Sequence, residues 1–306
     1  PPGTELLFGQ NSLMVIDLFA ELKNNIYVLA SIDGNQPSIY KTLAYGKQFF
    51  LRHFIPSVHE EIITINEQNK IIGVIPARYA SSRFPGKPLV DLAGKSMIQR
   101  VYERAISSKL DKIVVATDDT RIFEHVEAFG GTALITKEGH PSGTDRCQDV
   151  MEQIGDSFDY VINIQGDEPF IVPEQIDELS DCCDGSVELA TMMLEVKTLE
   201  LLLDTGEVKI TKDLNNNALY FSRQPIPFLK NHPIENWLQH LKYYRHVGMY
   251  AYRKDILKQI AGLSPTKLEV AESLEQLRWL ENGFTIKLVE TTHDSYCVDT
   301  PEDVEW

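Results

Sequence analysis

Three cations, Arg78, Arg83 and Lys87, follow directly on the apolar run Ile71-Ile72-Gly73-Val74-Ile75, and no acid lies among them. Ser81, Ser82 and Gly86 in the same stretch leave backbone N–H groups open to an anion, so the segment has the makings of a phosphate-holding loop. In a chain of net charge −16 such a local excess of positive charge is informative. It is not a Walker A loop, because the four-residue spacer between glycines and the Ser or Thr after the Lys are both missing. No G-x-G-x-x-G follows the strand either, which excludes the dinucleotide fingerprint. An ordinary solvated loop after a strand is the plainer alternative.

A second apolar run, Tyr160-Val161-Ile162-Asn163-Ile164, delivers Gln165-Gly166-Asp167-Glu168-Pro169 at its carboxyl end, where open α/β sheets bind ligands. Asp167 there is suited to a hard divalent cation such as Mg²⁺, which takes carboxylate oxygens and offsets phosphate charge. Gly166-Asp167-Glu168-Pro169 also reads as a turn with a helix cap. His140-Pro141-Ser142-Gly143-Thr144-Asp145-Arg146 offers small polar groups at a helix start, suited to a base or ribose or simply to capping that helix. Arg223 could fork onto a carboxylate. His246 and Tyr250, four apart on a strand, share a face and could hold a polyol together, although a lone His or Tyr is more often structural. Glu275 and Gln276 fall in Leu268–Leu277, read as one helix with Leu274 and Leu277 buried. Asp299 is a second carboxylate for a metal, or the start of the Asp-Thr-Pro helix entry.

The elements that must position these groups alternate from Ile71 onward. Short β-branched runs at 71–75, 113–116 and 161–164 are separated by amphipathic stretches at 96–107, 120–129 and 173–182, the pattern of βαβ units with a largely parallel sheet. Further strands are expected at 188–194, 208–211, 218–222, 246–252 and 285–290. The fold class is therefore α/β. A boundary near Asn69 divides an N-terminal segment, 1–69, from one α/β domain over 70–306. In the segment Leu13–Leu22 reads as a helix and Ile26–Ile32 as a strand, and no function is assigned to it. The start without Met suggests a fragment or a processed end. At the other terminus Thr300 and Pro301 open a helix with little helix after it, which suggests a short truncation.

Composition narrows the partners. At 306 residues with 43% hydrophobic and 24% charged content, the chain is an ordinary globular one. Its acidic balance argues against nucleic acid or an anionic membrane as main partner. Cys147, Cys182, Cys183 and Cys297 lack metal-ligand spacing and fit reduced thiols in a cytoplasmic protein. No run is long enough for a membrane span.

Taken in order, Ile-Pro-Ala-Arg-(x)4-Arg-Phe-Pro-Gly-Lys-Pro-Leu, His-x-Ser-Gly-Thr-Asp-Arg, Gln-Gly-Asp-Glu-Pro, Leu-Tyr-Phe-Ser-Arg, Arg-His-x-Gly-x-Tyr, Leu-Glu-Gln-Leu-Arg and Val-Asp-Thr-Pro-Glu-Asp closely resemble the 3-deoxy-manno-octulosonate (Kdo) cytidylyltransferase family, over about Lys70 to Trp306. The resemblance implies a three-layer nucleotidyltransferase fold with a mostly parallel, mixed sheet, and a homodimer using Mg²⁺. It implies the reaction of CTP with Kdo to CMP-Kdo and pyrophosphate in lipopolysaccharide assembly. Arg78, Arg83 and Lys87 then neutralise the triphosphate and, with Asp167, carry catalysis. Ala77, Arg78, Lys87, Ser142, Gly143 and Thr144 hold the nucleotide, and Asp167 and Asp299 hold the metal. Gln165, Arg223, His246, Tyr250, Glu275 and Gln276 are left for the sugar. A CMP-sialic acid type synthetase and a non-catalytic nucleotide-binding protein are the competing expectations.

Overall fold

The computed structural model describes residues 69–80 and 84–304 with their side chains, and the backbone alone of Glu305 and of five strands between residues 4 and 53. Arg83, Ser81 and Ser82 lie outside the described residues. The chain divides into two compact units, Pro1–Gln68 and Asn69–Trp306.

In the first unit β1 (Thr4–Phe8), β2 (Ser12–Leu22), β3 (Asn25–Ser31), β4 (Pro37–Tyr45) and β5 (Gln48–His53) form an antiparallel sheet in sequence order. The helix expected over Leu13–Leu22 is instead β2. Val15, Ile16 and Phe19 are strand-favouring residue types, and β2 pairs on both sides, with β1 and β3. Ladder bonds to two neighbours override a weak local helical preference.

The second unit starts with β6 (Ile71–Ala77), α1 (Met97–Ala105), β7 (Lys112–Thr117), α2 (Thr120–Ala128), β8 (Ala133–Ile135), α3 (Gly143–Ile154), β9 (Tyr160–Asn163) and α4 (Pro173–Asp181). After these come β10 (Leu189–Glu195), α5 (Leu199–Leu203), β11 (Lys209–Lys212), β12 (Ala218–Ser222), α6 (Trp237–His240), β13 (Tyr244–Arg253), α7 (Lys254–Ala261), α8 (Lys267–Glu272), α9 (Gln276–Glu281) and β14 (Ile286–Thr291). One mixed sheet runs β12-β11-β13-β9-β6-β7-β8, and β10 pairs with both β13 and β14. Around β6 the pairing is parallel, with β7 on one side and β9 on the other. β13 runs antiparallel against β9 and sets Tyr250 opposite Asn163.

Side chains alternate along β6, and the core splits accordingly into two layers of apolar packing. Ile71, Ile75 and Ala77 pack with Ile98 and Val101 of α1, Ile122 and Val126 of α2, and Ile176 and Leu179 of α4. Ile72 and Val74 face the other way, onto Cys147 and Val150 of α3, Ile256 and Ile260 of α7, and Leu277 and Trp279 of α9. The result is helices on both faces of a sheet, three layers in all.

One expected element is corrected. Leu268–Leu277 is not one helix but α8 and the start of α9, broken at Ser273, which has φ 55° and ψ 50°. At the start of α8 the Thr266 N–H donates to Glu269 Oε2 at 3.0 Å, and a residue in the left-handed conformation ends the helix. The guanidinium of Arg278 on α9 returns to Glu269, its Nε donating at 2.8 Å. Leu274 and Leu277 are buried as expected, at 7% and 0% exposure.

Candidate active site

The parallel pairing of β6 with β9 brings their carboxyl ends side by side, so the loops after Ala77 and after Asn163 leave the sheet together. Glycine makes this approach possible. A Cβ on Gly166 would lie 2.7 Å from the carbonyl oxygen of Pro76, a backbone atom that cannot step aside. Gly86 turns the basic loop with φ +74°, a conformation that disfavours any side chain, and its N–H donates to the carbonyl of Tyr79 at 2.9 Å.

These loops border a cavity of about 290 Å³. Of the positions singled out in the sequence, Ala77, Arg78, Lys87, Ser142, Gly143, Thr144, Gln165, Asp167, Tyr250, Glu275 and Asp299 line it. Arg223, His246 and Gln276 are not among its lining residues. Arg223 is committed to α8 and its end, its Nε donating to the Glu272 carbonyl at 2.7 Å and its backbone N–H to the Glu272 carboxylate at 3.0 Å. His246 packs beside Tyr250 on β13. Its ring is 5.2 Å from that of Tyr250, its Nε2 is 2.8 Å from Thr191 Oγ1, and burial pushes its pKa down to about 3. Gln276 is 4% exposed at the start of α9.

The charged end of the cavity centres on Lys87. Its Nζ donates to Asp167 Oδ2 at 2.7 Å and to Asp299 Oδ1 at 3.2 Å. Burial works against the ammonium, but the charge of Asp167 and the bonds to both carboxylates outweigh it, so the Lys87 pKa is raised. Asp299 is fixed from its own backbone, whose N–H donates to Asp303 Oδ2 at 2.9 Å, and the Thr300 N–H reaches the same oxygen at 2.8 Å. Donor atoms of Asp167, Asp299 and Cys297 lie within 4.8 Å of one another. The Lys87 ammonium already sits as a cation between two carboxylates, and a pair of hard oxygen donors fits Mg²⁺, whereas the thiol sulfur does not belong to that donor class. Although Cys297 is exposed as a residue, desolvation of its sulfur first, and then the nearby Asp167 and Asp299 charges, push its thiol up, so it stays neutral.

The opposite end is polar and buried. Ser142 caps α3, accepting from Asp145 N at 3.2 Å. Thr144 Oγ1 donates to Glu275 Oε2 at 2.9 Å and lies 3.2 Å from the Tyr252 hydroxyl. Burial pushes the Glu275 pKa up, and hydrogen bonds from Ser142 and Thr144 counter it only in part. Gln165 Nε2 donates to the Gly248 carbonyl at 2.7 Å, tying the loop after β9 to β13.

Sequence reasoning missed Pro76, Pro88, His140, Pro141, Arg146, Asn163 and Gly166 as lining residues. Most stand inside motifs that were read, but as apolar, turn or capping positions. Arg146 is 3% exposed and pairs with Asp118 at 2.9 Å, so it carries the loop after β7 rather than meeting solvent. No helix of the described residues is long and apolar enough to cross a membrane.

A cation–carboxylate cluster at the carboxyl ends of parallel strands, facing a polar loop at a helix N-terminus, is the architecture of a nucleotidyltransferase. The family model described as "Cytidylyltransferase" matches residues 72–288. A 3-deoxy-manno-octulosonate cytidylyltransferase of Phocaeicola vulgatus is 50% identical over 239 residues, covering 77% of this chain and 94% of that protein. One of Parabacteroides distasonis is 48% identical over 241 residues, covering 77% and 96%. The solved structure of CMP:2-keto-3-deoxy-manno-octonic acid synthetase complexed with CTP superposes with a TM-score of 0.72 at 42% identity, over 77% of this chain and 95% of that one. The chain belongs to the 3-deoxy-manno-octulosonate cytidylyltransferase family, as its motif order implied.

Proposed function

We propose that this chain activates Kdo with CTP, giving CMP-Kdo and pyrophosphate for lipopolysaccharide synthesis. The observation that carries the reading is the joining, in one cavity, of the Lys87–Asp167–Asp299 cluster with the Ser142–Thr144 loop, in a chain 42% identical to a CTP-bound synthetase.

The Kdo anomeric hydroxyl oxygen bonds to the α-phosphorus of CTP as the bond to the α,β-bridging oxygen breaks. Pyrophosphate leaves, and the hydroxyl proton is lost to solvent. Positioning and charge do most of this work, because phosphoryl chemistry of this kind needs little covalent help from the protein. Arg78, Arg83 and Lys87 neutralise the triphosphate and the charge that grows on pyrophosphate. Asp167 and Asp299 hold Mg²⁺, which when bound supplies charge neutralisation at the phosphates and a lower pKa for the attacking hydroxyl. When the phosphates arrive, Lys87 exchanges carboxylate partners for phosphate oxygens. The Ser142–Thr144 loop takes the nucleoside, and Tyr250, Glu275 and Gln165 border the sugar. His246 backs that wall through its ring contact with Tyr250, while Arg223 and Gln276 do not line it. A cytoplasmic homodimer is part of the proposal, since CTP is a cytoplasmic metabolite and the family likeness implies the dimer.

Pyrophosphate release from CTP and Mg²⁺, measured with Kdo, with sialic acid and with no sugar, tests the reading. Release that requires Kdo supports it, and release with sialic acid alone, or none with any sugar, refutes it.

A further inference from the structure

Asn163 ends β9 and is 4% exposed. It lines the cavity, yet its Oδ1 has no hydrogen-bond partner among the described residues. A buried amide oxygen left unpaired is costly, and native proteins seldom leave one without a reason.

The groups behind it explain which end of the amide faces forward. Thr144 Oγ1 spends its single proton on Glu275 Oε2 at 2.9 Å. The Tyr252 hydroxyl, 3.2 Å from Thr144 Oγ1, must therefore be the donor of that contact. Its own oxygen is then free only to accept, and it faces Asn163 Nδ2 at the long distance of 3.5 Å. Turned over, the amide would set its oxygen against an oxygen with no proton to give. Thr144 is 2% exposed and Tyr252 0%, so bulk water cannot reverse the order. A carboxylate three groups away thus sets the polarity of the whole chain and leaves an unpaired, buried acceptor on a residue that lines the cavity.

We infer that Asn163 Oδ1 accepts a hydrogen bond from a donor on the bound nucleotide, the exocyclic amino group of cytosine or a ribose hydroxyl, and that Tyr252, Thr144 and Glu275 hold it in that orientation. The inference rests on the reading of the cavity as a CTP site. Asn163 is then a specificity residue, and Tyr252 a positioning one. Uracil carries a carbonyl oxygen where cytosine carries the amino group, so the fixed acceptor would meet an acceptor.

Calorimetric binding of CTP, UTP, 2′-deoxy-CTP and 3′-deoxy-CTP to the full chain, to Asn163→Ala and to Tyr252→Phe provides the test. The unmodified protein is expected to prefer CTP over at least one analogue by ~10-fold or more, the scale of one buried polar partner lost. Asn163→Ala is expected to erase that preference by lowering CTP affinity to the analogue's level. If UTP is the disfavoured analogue the amino group is the donor, and if a deoxynucleotide is, the hydroxyl is. Tyr252→Phe frees the amide to turn and should cut the preference severalfold with CTP still bound. Equal weakening of all four nucleotides by Asn163→Ala, or no preference in the unmodified protein, overturns the inference alone. If Asn163→Ala does not fold, unchanged selectivity in Tyr252→Phe overturns it. Failure of the unmodified protein to bind CTP overturns the CTP reading, and this inference with it.

Discussion

The two ends of the cavity are built on opposite principles. At one end Lys87, Asp167 and Asp299 form an ion cluster whose carboxylates keep side-chain exposures of 27% and 40%. At the other, Asn163, Tyr252, Thr144 and Glu275 form a hydrogen-bonded chain whose first three members are nearly sealed from solvent. Charges that must exchange partners when a polyanion arrives are best left near water, where re-pairing costs little. Groups that must tell one neutral edge from another are best buried, because an unpaired polar atom is penalised only where water cannot replace the lost bond. The contrast separates strength of attraction from selectivity, and the two are separable by mutation.

The sharpest break comes at the charged end. Asp167→Asn keeps the shape and removes the charge, so Kdo-dependent pyrophosphate release is expected to fall at least ~10³-fold while the thermal midpoint moves little. Loss of the fold instead would show that Asp167 is a structural cap. Lys87→Ala removes the cation from between two carboxylates and should cost turnover ~10²-fold, within the range for one lost electrostatic stabiliser. Because Asp167 and Asp299 then repel each other unscreened, added Mg²⁺ is expected to stabilise this variant against heat more than it does the unmodified protein. Differential scanning fluorimetry with and without Mg²⁺ reads this.

Much of the charged end was legible in the sequence because its residues are few, charged and close to strand ends. An apolar run followed by Arg78 and Lys87, or by Asp167, states a strand and its cargo together. The layered fold was legible for a similar reason, since the strand–helix alternation from Ile71 is regular and long. The buried end was not. Asn163 sits in an apolar run and reads as a tolerated polar residue; the antiparallel register sets it opposite Tyr250 on β13, and only the folded side chains show its amide reaching the Tyr252 hydroxyl. The break of Leu268–Leu277 at Ser273 was hidden too, because periodicity continued through it and a single residue at φ 55° leaves no mark on composition. β2 was misread because tertiary pairing, not local preference, decides an ambiguous apolar stretch.

Glycine at each end offers a smaller, paired comparison. Gly166→Ala drives a methyl to 2.7 Å from the Pro76 carbonyl oxygen, and the β6 backbone cannot yield. Destabilisation of about 1–3 kcal/mol is expected, with turnover lowered ~10-fold as Asp167 shifts. Gly143→Ala meets Asn163 Nδ2 at 3.0 Å, a side-chain atom that can give by a few tenths of an ångström where a backbone oxygen cannot. It should cost less than half as much in stability and instead relax nucleotide preference. Chemical denaturation of both variants decides the order, and an equal loss in the two would erase the distinction between a rigid wall and an adjustable one.

The smallest effect is one of pH, and it belongs to the buried end. Asp149 is 5% exposed and anchors the approach to the Ser142 loop, accepting from Lys137 N at 2.7 Å and lying 2.8 Å from His140 Nε2. Burial alone would raise its pKa, but the bonds from Lys137 and His140 prevail and hold it down to about 2 from an ordinary 3.8. Between those values the unfolded chain binds a proton that the folded chain refuses. The stabilisation is therefore complete above pH 4 and is lost as pH falls towards 2. Asp149→Asn removes the titrating group, so stability of the variant should fall less steeply across that window than that of the unmodified protein. At neutral pH the variant should show weaker CTP binding, while the heat stabilisation conferred by Mg²⁺, which reports the other end, stays the same. If the Mg²⁺ response changed in step with CTP binding, the two ends would be one coupled unit, and the division of labour between them would have to be abandoned.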